Sequence, residues 1–240
     1  MSTYKTHGII LRRTEFSEAD RILTILTPEH GKISAIAKGV RKQGSKLGSH
    51  LEIFNEIDLM LAEGKNLDVV TSARSVKRFE NIVSNYETMR IGFLVCEMVN
   101  KLTDNQVATK VYDLVLSTFR TLNEYAETNV TELYFKLHLL DILGYRPDLN
   151  KCMESHDEIK AGMYYFFSSE KGGFVHEQHG NGHEPNITTN HIKLWRLVYD
   201  YPLTKLEKIK GAGDAAQETM PILDDFYSYL FGKRFKSAEI

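Results

Sequence analysis

The first 80 residues alternate between hydrophobic and polar positions with a period of two, the pattern of half-buried β-strands. The side chains of residues 21–27 alternate in this way, and a second alternating run follows at residues 32–38. Pro28-Glu29-His30-Gly31 joins the two runs, and its proline and glycine favour a tight turn. Together they predict a β-hairpin. Similar runs predict five strands in all, at residues 4–13, 21–27, 32–38, 53–62 and 67–79.

Five short strands in so small a segment favour a closed or nearly closed barrel, because closure removes the exposed edges of a sheet. The OB-fold is the common five-stranded solution, and it is the fold we expect for residues 1–80. An SH3-like barrel is the alternative. No convincing helical period occurs before residue 81.

After residue 81 the hydrophobic positions recur every three or four residues, which is typical of amphipathic helices. Met89, Phe93, Cys96 and Val99 show this spacing in the first helix. Further helices are predicted at residues 107–125, 131–143, 188–199 and 215–230. Residues 148–185 contain several glycines and one short strand-like run, at 163–167. The chain is therefore predicted to be an α+β protein, with a barrel domain at 1–80 and a helical domain at 81–240 that includes an insertion at about 148–185.

Composition excludes several classes of protein. Hydrophobic residues make up 42% of the 240 residues and charged residues 26%, values typical of a globular chain and not of a disordered one. No apolar run approaches the roughly 20 residues that cross a bilayer, and residues 1–16 lack the apolar core of a secretory signal. Two cysteines, Cys96 and Cys152, cannot form a disulfide framework. We expect a cytoplasmic protein with no membrane partner.

Positive charge is concentrated in the barrel half of the chain. Residues 1–80 contain 13 Lys and Arg against 10 Asp and Glu, a net charge of +3, whereas residues 81–240 contain 17 against 22, a net charge of −5. Residues 30–51 contain five cations and no acidic residue, and Gly39, Gly44 and Gly48 predict a flexible loop there. A cationic loop on a barrel can follow a phosphate backbone by charge alone.

Ten cations of the barrel half are therefore the predicted contacts with a phosphate backbone. The first six are Arg12, Arg13, Lys38, Arg41, Lys42 and Lys46, and the next four are Arg21, Arg74, Lys77 and Arg78. This half has only four aromatic side chains, Tyr4, Phe16, Phe54 and Phe79, and the core needs some of them. Because base stacking requires available rings, we expect electrostatics to dominate and sequence preference to be slight. A solvated loop without a partner is the alternative interpretation.

Motifs of the common enzyme classes are missing. Residues 39–46, Gly-Val-Arg-Lys-Gln-Gly-Ser-Lys, resemble a phosphate-binding loop, but the lysine and the hydroxyl stand in exchanged places. His176 and His179 lack the i, i+4 spacing of zinc proteases, and no Gly-x-Ser-x-Gly occurs. Cys96 lies on an apolar helix face and is predicted to be a buried thiol. The sequence predicts no enzymatic activity and no cofactor.

Longer motifs resemble one known family. Residues 8–21 read Gly-Ile-Ile-Leu-Arg-Arg-Thr-Glu-Phe-Ser-Glu-Ala-Asp-Arg, residues 26–32 read Leu-Thr-Pro-Glu-His-Gly-Lys, and residues 37–41 read Ala-Lys-Gly-Val-Arg. Residues 143–149, the Gly172-Gly173 pair and residues 232–237 continue the pattern. Together these motifs resemble the RecO family of bacterial recombination mediators over nearly the whole chain.

The resemblance implies an N-terminal OB-fold followed by a helical domain. It also implies binding of single- and double-stranded DNA and annealing of complementary strands. The implied protein partners are RecR and the C-terminal tail of single-stranded DNA-binding protein. In that role a RecO protein helps to load RecA onto protein-coated single strands during gap repair and RecF-pathway recombination, in the cytoplasm and in association with the nucleoid.

Many members of that family carry a zinc site made of two Cys-x-x-Cys pairs. The matching positions here are Cys152, Ser155, His176 and His179, with His156 beside the second of them. Cysteine and histidine are zinc ligands but serine is not. We therefore expect a degenerate, metal-free, zinc-finger-like segment that is packed by aromatic side chains. A Cys-His₃ zinc site that includes His156 stays open as the alternative.

Three other functions also stay open. An RNA-binding OB-fold module would use the same basic loop as a DNA-binding one. A metal-dependent hydrolase would be built on His156, His176, His179, His183 and Glu184. A structural adaptor would have no affinity for nucleic acid. Competition between DNA and RNA, elemental analysis and a DNA-binding assay separate these three functions from a DNA-binding mediator.

Overall fold

A computed structural model of the chain describes residues 2–104, 108–124, 127–179, 187–232 and 235. The described residues form two compact units, one that ends at Glu124 and one made of the residues after it. The first unit is larger than the predicted domain at 1–80, because it includes two helices that follow the barrel.

Five strands of the first unit form a closed barrel with the order β1-β2-β3-β5-β4, and β4 pairs back onto β1. The strands are β1 (Thr3–Glu15), β2 (Arg21–Thr27), β3 (Gly31–Ala37), β4 (Glu56–Ala62) and β5 (Asp68–Lys77). β3 and β5 run parallel, and the other neighbours run antiparallel. A five-stranded Greek-key barrel of this kind is an OB-fold. The OB-fold prediction is confirmed, and the SH3-like alternative is set aside.

Side chains from all five strands fill the interior of the barrel, and this burial produces the alternation seen in the sequence. The buried strand residues are Ile10, Leu23, Ile25, Ala35, Ala37, Ile57, Leu59, Leu61 and Val70. β1 and β2 approach closely at Gly8, where a Cβ would lie 2.6 Å from Ile25 Cγ2 and 2.7 Å from the carbonyl oxygen of Leu26. A side chain at this position would separate the two strands.

The connection between β3 and β4, residues 38–55, is folded onto the barrel, which corrects the prediction of a flexible loop. Val40 and Leu51 are buried in the barrel core. The N–H groups of Lys42 and Ser45 donate to the carbonyl oxygens of Gly39 and Lys42, at 3.1 and 3.0 Å, and so close two successive turns. Because apolar side chains anchor both ends of the connection, its cations stand at defined places on the surface.

Two helices, α1 (Tyr86–Leu102) and α2 (Ala108–Glu124), pack on the barrel after a short 3₁₀ turn at Glu80–Val83. Phe54 joins them to the connection, with ring centroids 5.1 Å from Phe93 and 5.3 Å from Phe119. Its backbone has a φ of 72°, a conformation that costs an aromatic residue about 1–3 kcal/mol. Gly92 accommodates the ring, because a Cβ there would lie 3.1 Å from it. Burial of the Phe54 ring offsets the backbone strain.

Lys32, one of the five cations in the basic stretch, has a structural role. Its Nζ donates to the carbonyl oxygens of Val99 and Asn100, at 3.2 and 2.7 Å, at the C-terminal end of α1. The last carbonyl groups of a helix lack partners within the helix, and a cation there also interacts favourably with the helix dipole. Lys32 therefore fastens α1 to β3.

The second unit combines helices with a small sheet. Its elements are α3 (Thr128–Ile142), β6 (Tyr164–Ser168), β7 (Gly173–His176), β8 (Ile187–Thr188), α4 (Thr189–Asp200), α5 (Leu203–Leu206) and α6 (Ala212–Phe231). The strand order is β7-β6-β8. The predicted helices and the strand-like run at 163–167 correspond to α3, α4, α6 and β6, whereas β7, β8 and α5 were not predicted. Among the described residues, no helix has both the length and the apolar character needed to span a membrane.

Aromatic side chains join the small sheet to α4 and α6. The ring of Trp195 lies 5.5 Å from that of Phe174, and the ring of Phe167 lies 5.0 Å from that of Phe226. The buried Trp195 donates its Nε1–H to Thr219 Oγ1 at 3.2 Å. Satisfying the one polar atom of a buried indole fixes the side chain in a single orientation. The small sheet is thus held against α4 and α6 by ring packing.

A half-buried carboxyl group lies at the end of α5. Glu207 Oε1 is buried and has no hydrogen-bond partner among the described residues. Burial, and then the nearby Glu127 carboxylate, raise the pKa of Glu207 to about 7, and the opposing effects of Lys208 and Thr131 are smaller. The folded protein therefore keeps this proton up to about pH 7, whereas an unfolded glutamate releases it near 4.5. Through this group the free energy of unfolding falls as pH rises from 4.5 towards 7.

Replacing Glu207 with Gln is expected to raise the melting temperature by a few degrees at pH 8 and to leave it nearly unchanged at pH 4.5. The amide keeps the neutral state that the site favours, so the loss of stability on deprotonation disappears. Thermal melts from pH 4.5 to 8 measure the effect, with the exposed Glu158→Gln as a matched control. Equal shifts for both variants at every pH would contradict the assignment.

Candidate nucleic-acid interface

The outer face of β1, β2 and β3 forms a candidate surface for a nucleic-acid strand. Arg12 lies opposite Thr24, and Thr24 lies opposite Ser34, so the three side chains form a row across the strands. The next row consists of Thr14, Ile22 and Ile36. None of these six residues is buried. OB-folds bind oligonucleotides on the face of their second and third strands, and here that face presents a guanidinium, hydroxyls and half-exposed aliphatic groups.

The turn between β1 and β2, residues 16–20, is called the hairpin tip, and the β3–β4 connection packs against it. The N–H of Gly39 donates to Asp20 Oδ1 at 2.8 Å. The N–H of Arg41 donates to the carbonyl oxygen of Ala19 at 3.0 Å, and its guanidinium donates to that of Ser17 at 3.1 Å. These bonds place the beginning of the connection beside the tip and next to the outer face.

Four exposed cations of this region, Arg12, Lys38, Lys42 and Lys46, are called the cationic surface. Within the described part of the chain, none of the four makes an ion pair or a side-chain hydrogen bond. Lys77, at the end of β5, is exposed and unpaired in the same sense. Cations that have no protein carboxylate to neutralise them are available to phosphate groups.

Three other residues that are predicted to contact DNA form ion pairs with carboxylates. Arg13 and Arg21 both form ion pairs with Glu52, the latter at 3.4 Å. Arg41 Nη2 lies 3.3 Å from Glu15 Oε2. Surface pairs of this kind contribute at most about 1 kcal/mol, so a phosphate can compete for the arginines. We rank them below the cationic surface.

The remaining two cations lie elsewhere. Arg74 pairs with Asp58 at 2.7 Å, and Arg78 lies 3.8 Å from Glu80. Arg74 lines a groove of about 690 Å³ formed by β1, β4 and β5, which His7 and Glu29 also line. That groove mixes acidic and basic side chains, so its charge does not favour a polyanion. The role of all ten residues as DNA contacts stays a prediction. We rank them by their exposure and by the ion pairs that they form.

Comparison with known proteins identifies the family. Residues 1–79 match the family model described as "Recombination protein O N terminal", and residues 83–239 match the model described as "Recombination protein O C terminal". The chain belongs to the RecO family. The resemblance drawn from the sequence motifs is therefore confirmed, together with a role of the family in DNA repair and recombination.

Curated RecO proteins match over much of the chain. A "DNA repair protein RecO" of Dehalococcoides mccartyi is 35% identical over 209 residues, which cover 86% of this chain and 82% of the relative. One of Bifidobacterium adolescentis is 30% identical over 244 residues, which cover 100% of this chain and 99% of the relative. One of Roseiflexus sp. is 41% identical over 150 residues, which cover 62% of this chain and 53% of the relative. Similarity to RecO proteins thus extends through both units.

The segment that corresponds to the zinc site in the RecO resemblance keeps a tight turn around Cys152. The N–H of His156 donates to the carbonyl oxygen of Cys152 at 2.9 Å, and the N–H of His176 donates to its Sγ at 3.3 Å. Burial raises the pKa of the Cys152 thiol, but donors from Ser155, His176 and Glu154 outweigh it and lower that pKa overall. Donors around a sulfur stabilise its thiolate form.

The side chains around Cys152 do not fit a zinc ion. His176 Nδ1 accepts from the N–H of Gln178 at 3.2 Å, and Nε2 lies 3.2 Å from Met163 Sδ. Across the described ranges, no three His, Cys, Asp or Glu side chains converge as a metal site would require. His183 and Glu184, which the hydrolase alternative needs, lie outside the described residues. The zinc-finger-like character of the segment stays a prediction.

The sequence alone identified neither the hairpin tip nor the row formed by Arg12, Thr24 and Ser34 as part of this surface. The motif at residues 8–21 contains Phe16 and spans the tip, but alternation alone gives no reason to separate the tip from the neighbouring strands. Thr24 and Ser34 carry no charge, so a search for cations passes over them. Only the strand register brings Thr24 and Ser34 beside Arg12.

Proposed function

We propose that the chain is a non-enzymatic DNA-binding mediator of recombinational repair. It binds single- and double-stranded DNA through the barrel, anneals complementary strands and helps to load a recombinase onto protein-coated single strands. The observation that carries the proposal is the cationic surface, four exposed cations without carboxylate partners beside an OB-fold face. Membership of the RecO family supports the role in repair.

In this proposal, the positive charge of the cationic surface promotes annealing. Two complementary strands repel each other through their phosphates, and each strand binds condensed counterions. Lys38, Lys42 and Lys46 displace those counterions and reduce the repulsion when both strands approach one surface. The phosphates are held by charge, while nearly all of the bases stay available for pairing. No covalent step is involved.

The proposed role includes protein partners. These are RecR, the C-terminal tail of single-stranded DNA-binding protein and, indirectly, RecA, as the family resemblance implies. A tail that combines acidic and apolar residues is recognised by an apolar groove with a cation for its terminal carboxylate. We propose that the helical half of the chain supplies this groove.

An annealing assay tests the proposed function. The protein is expected to accelerate pairing of complementary oligonucleotides, both naked and coated with single-stranded DNA-binding protein. Affinity for single strands should fall with salt at a log–log slope of about −3, because four contacts contribute roughly 0.7 each. Fluorescence resonance energy transfer follows the pairing, and anisotropy follows the binding.

Two controls define the outcome of this experiment. A protein-free reaction at each salt concentration gives the spontaneous annealing rate. An RNA competitor of the same sequence tests the RNA-binding alternative, which predicts tighter binding to RNA. Absence of both DNA binding and accelerated annealing at low salt would overturn the proposal.

A further inference from the structure

One exposed aromatic ring stands out on the barrel. Of the four aromatic residues in the barrel half, Phe54 and Phe79 are each 2% exposed, and Tyr4 donates its hydroxyl to Asp68 at 2.5 Å. Phe16, at the hairpin tip, is 55% exposed. It is therefore the barrel ring that is available to a ligand.

The hairpin tip holds Phe16 on a well-defined turn. The N–H of Phe16 donates to the carbonyl oxygen of Asp20 at 3.2 Å, and the N–H of Asp20 donates to Ser17 Oγ at 3.2 Å. From outside the tip, Arg41 donates to the carbonyl oxygens of Ser17 and Ala19. A ring presented by a braced turn loses little conformational entropy when it binds.

The charges around Phe16 favour different contacts at the hairpin tip and on the cationic surface. Glu15 and Glu18 flank the ring in the chain, and both are exposed. Glu15 pairs with Arg41, so it is the Glu18 carboxylate that repels phosphates at the tip. The cationic surface begins beside the tip, at Lys38 and Lys42, and attracts them. A strand that follows the cations can therefore meet the tip with a base, which carries no charge and stacks on aromatic rings.

We propose that Phe16 stacks on an unpaired base of single-stranded DNA that is bound along the cationic surface. This inference rests on the proposed function and adds to it a contact that depends on bases. Bases are stacked inside a duplex, so the contact is made with single strands only. Phe16 thus gives the protein a preference for single-stranded over double-stranded DNA that charge alone does not provide.

The test compares two single-stranded oligonucleotides of about 12 nucleotides, a length within the range that one OB-fold binds. One is a thymidine oligonucleotide and the other has the same sugar-phosphate backbone without bases. Phe16→Ala is expected to weaken binding to the thymidine oligonucleotide by about 5- to 150-fold, the range that one stacked base supplies. Its binding to the abasic strand and to duplex DNA, and its salt slope, should equal those of wild type.

A conservative variant distinguishes the loss of base stacking from a change in the structure of the hairpin tip. Phe16→Trp should bind the thymidine oligonucleotide at least as tightly as wild type, and its added fluorescence should be quenched on binding. The single natural tryptophan, Trp195, is fully buried in the second unit and supplies a constant background. Quenching by the abasic strand as well would show that the ring does not meet a base.

The outcomes distinguish this inference from the proposed function. If Phe16→Ala and wild type bind the thymidine oligonucleotide equally, the stacking role is wrong, although DNA binding by the cationic surface stands. If wild type binds neither oligonucleotide at low salt, the proposed function itself fails. Equal losses on the thymidine and abasic strands would assign Phe16 to folding of the tip and would also overturn the stacking role.

Discussion

A variant in which Lys38, Lys42 and Lys46 are all replaced by Glu is expected to bind single-stranded DNA at least about 100-fold more weakly than wild type at low salt. Each substitution removes a cation that faces solvent and places an anion near the phosphates. The three side chains are exposed, and their cationic groups make no contact within the described residues. The variant should therefore keep the stability of wild type.

The salt dependence gives this prediction a second readout. Loss of three phosphate contacts should reduce the slope of log affinity against log salt by about 2, because each contributes roughly 0.7 on single strands. Equilibrium anisotropy at several salt concentrations measures both the affinity and the slope. A change in affinity with an unchanged slope would indicate an indirect effect on folding.

A matched control uses exposed lysines that are not part of the cationic surface. Lys110, Lys193 and Lys210 are exposed, and their replacement by Glu changes the net charge by the same amount. That variant should bind DNA within a few-fold of wild type, since these lysines are not proposed to contact the strand and salt screens charges that do not touch it. Equal losses for the two triple variants would mean that total charge, and not the location of the cations, controls binding.

Replacing Lys136 with Met is expected to destabilise the second unit by about 3–5 kcal/mol. The Lys136 side chain is 1% exposed, and its Nζ lies 2.6 Å from Glu132 Oε1 and 2.6 Å from Asp224 Oδ1. The pair with Asp224 joins α3 to α6, and Tyr227 reinforces the junction by donating its hydroxyl to the Lys136 carbonyl oxygen at 2.7 Å. Without the ammonium group, the buried Glu132 carboxylate loses its ion pair with Lys136.

Urea unfolding followed by Trp195 fluorescence measures this loss, because the single tryptophan lies in the second unit. The double variant Lys136→Met, Glu132→Leu should recover most of the stability, since apolar side chains often replace a buried ion pair without a net cost. Lys171→Met breaks an exposed pair with Glu154 and serves as the control. A double variant as unstable as the single one would show that the loss comes from packing and not from the buried charge.

The periodicity of the chain predicted most of the elements, and the reason is physical. Strand side chains alternate because one face fills the barrel, and helix side chains recur every three or four residues because one stripe is buried. β7, β8 and α5 were missed because each has four residues or fewer, too few to show a period. The connection at residues 38–55 was interpreted as flexible from its glycines, although Val40 and Leu51 are buried within it.

The sequence by itself determined the five strands, the helices after them, the family and the excess of cations in the barrel half, because these depend on local pattern and on residue type. Only the tertiary structure decided which cations are available. Arg13, Arg21 and Arg41 meet carboxylates of Glu15 and Glu52 that folding brings to them, whereas Lys38, Lys42 and Lys46 do not. Charge is a property of each residue, but its neutralisation depends on neighbours that are distant in the chain. The exposure of Phe16 was decided in the same way, because the fold buries the rings of Phe54 and Phe79 and leaves the ring of the hairpin tip in solvent.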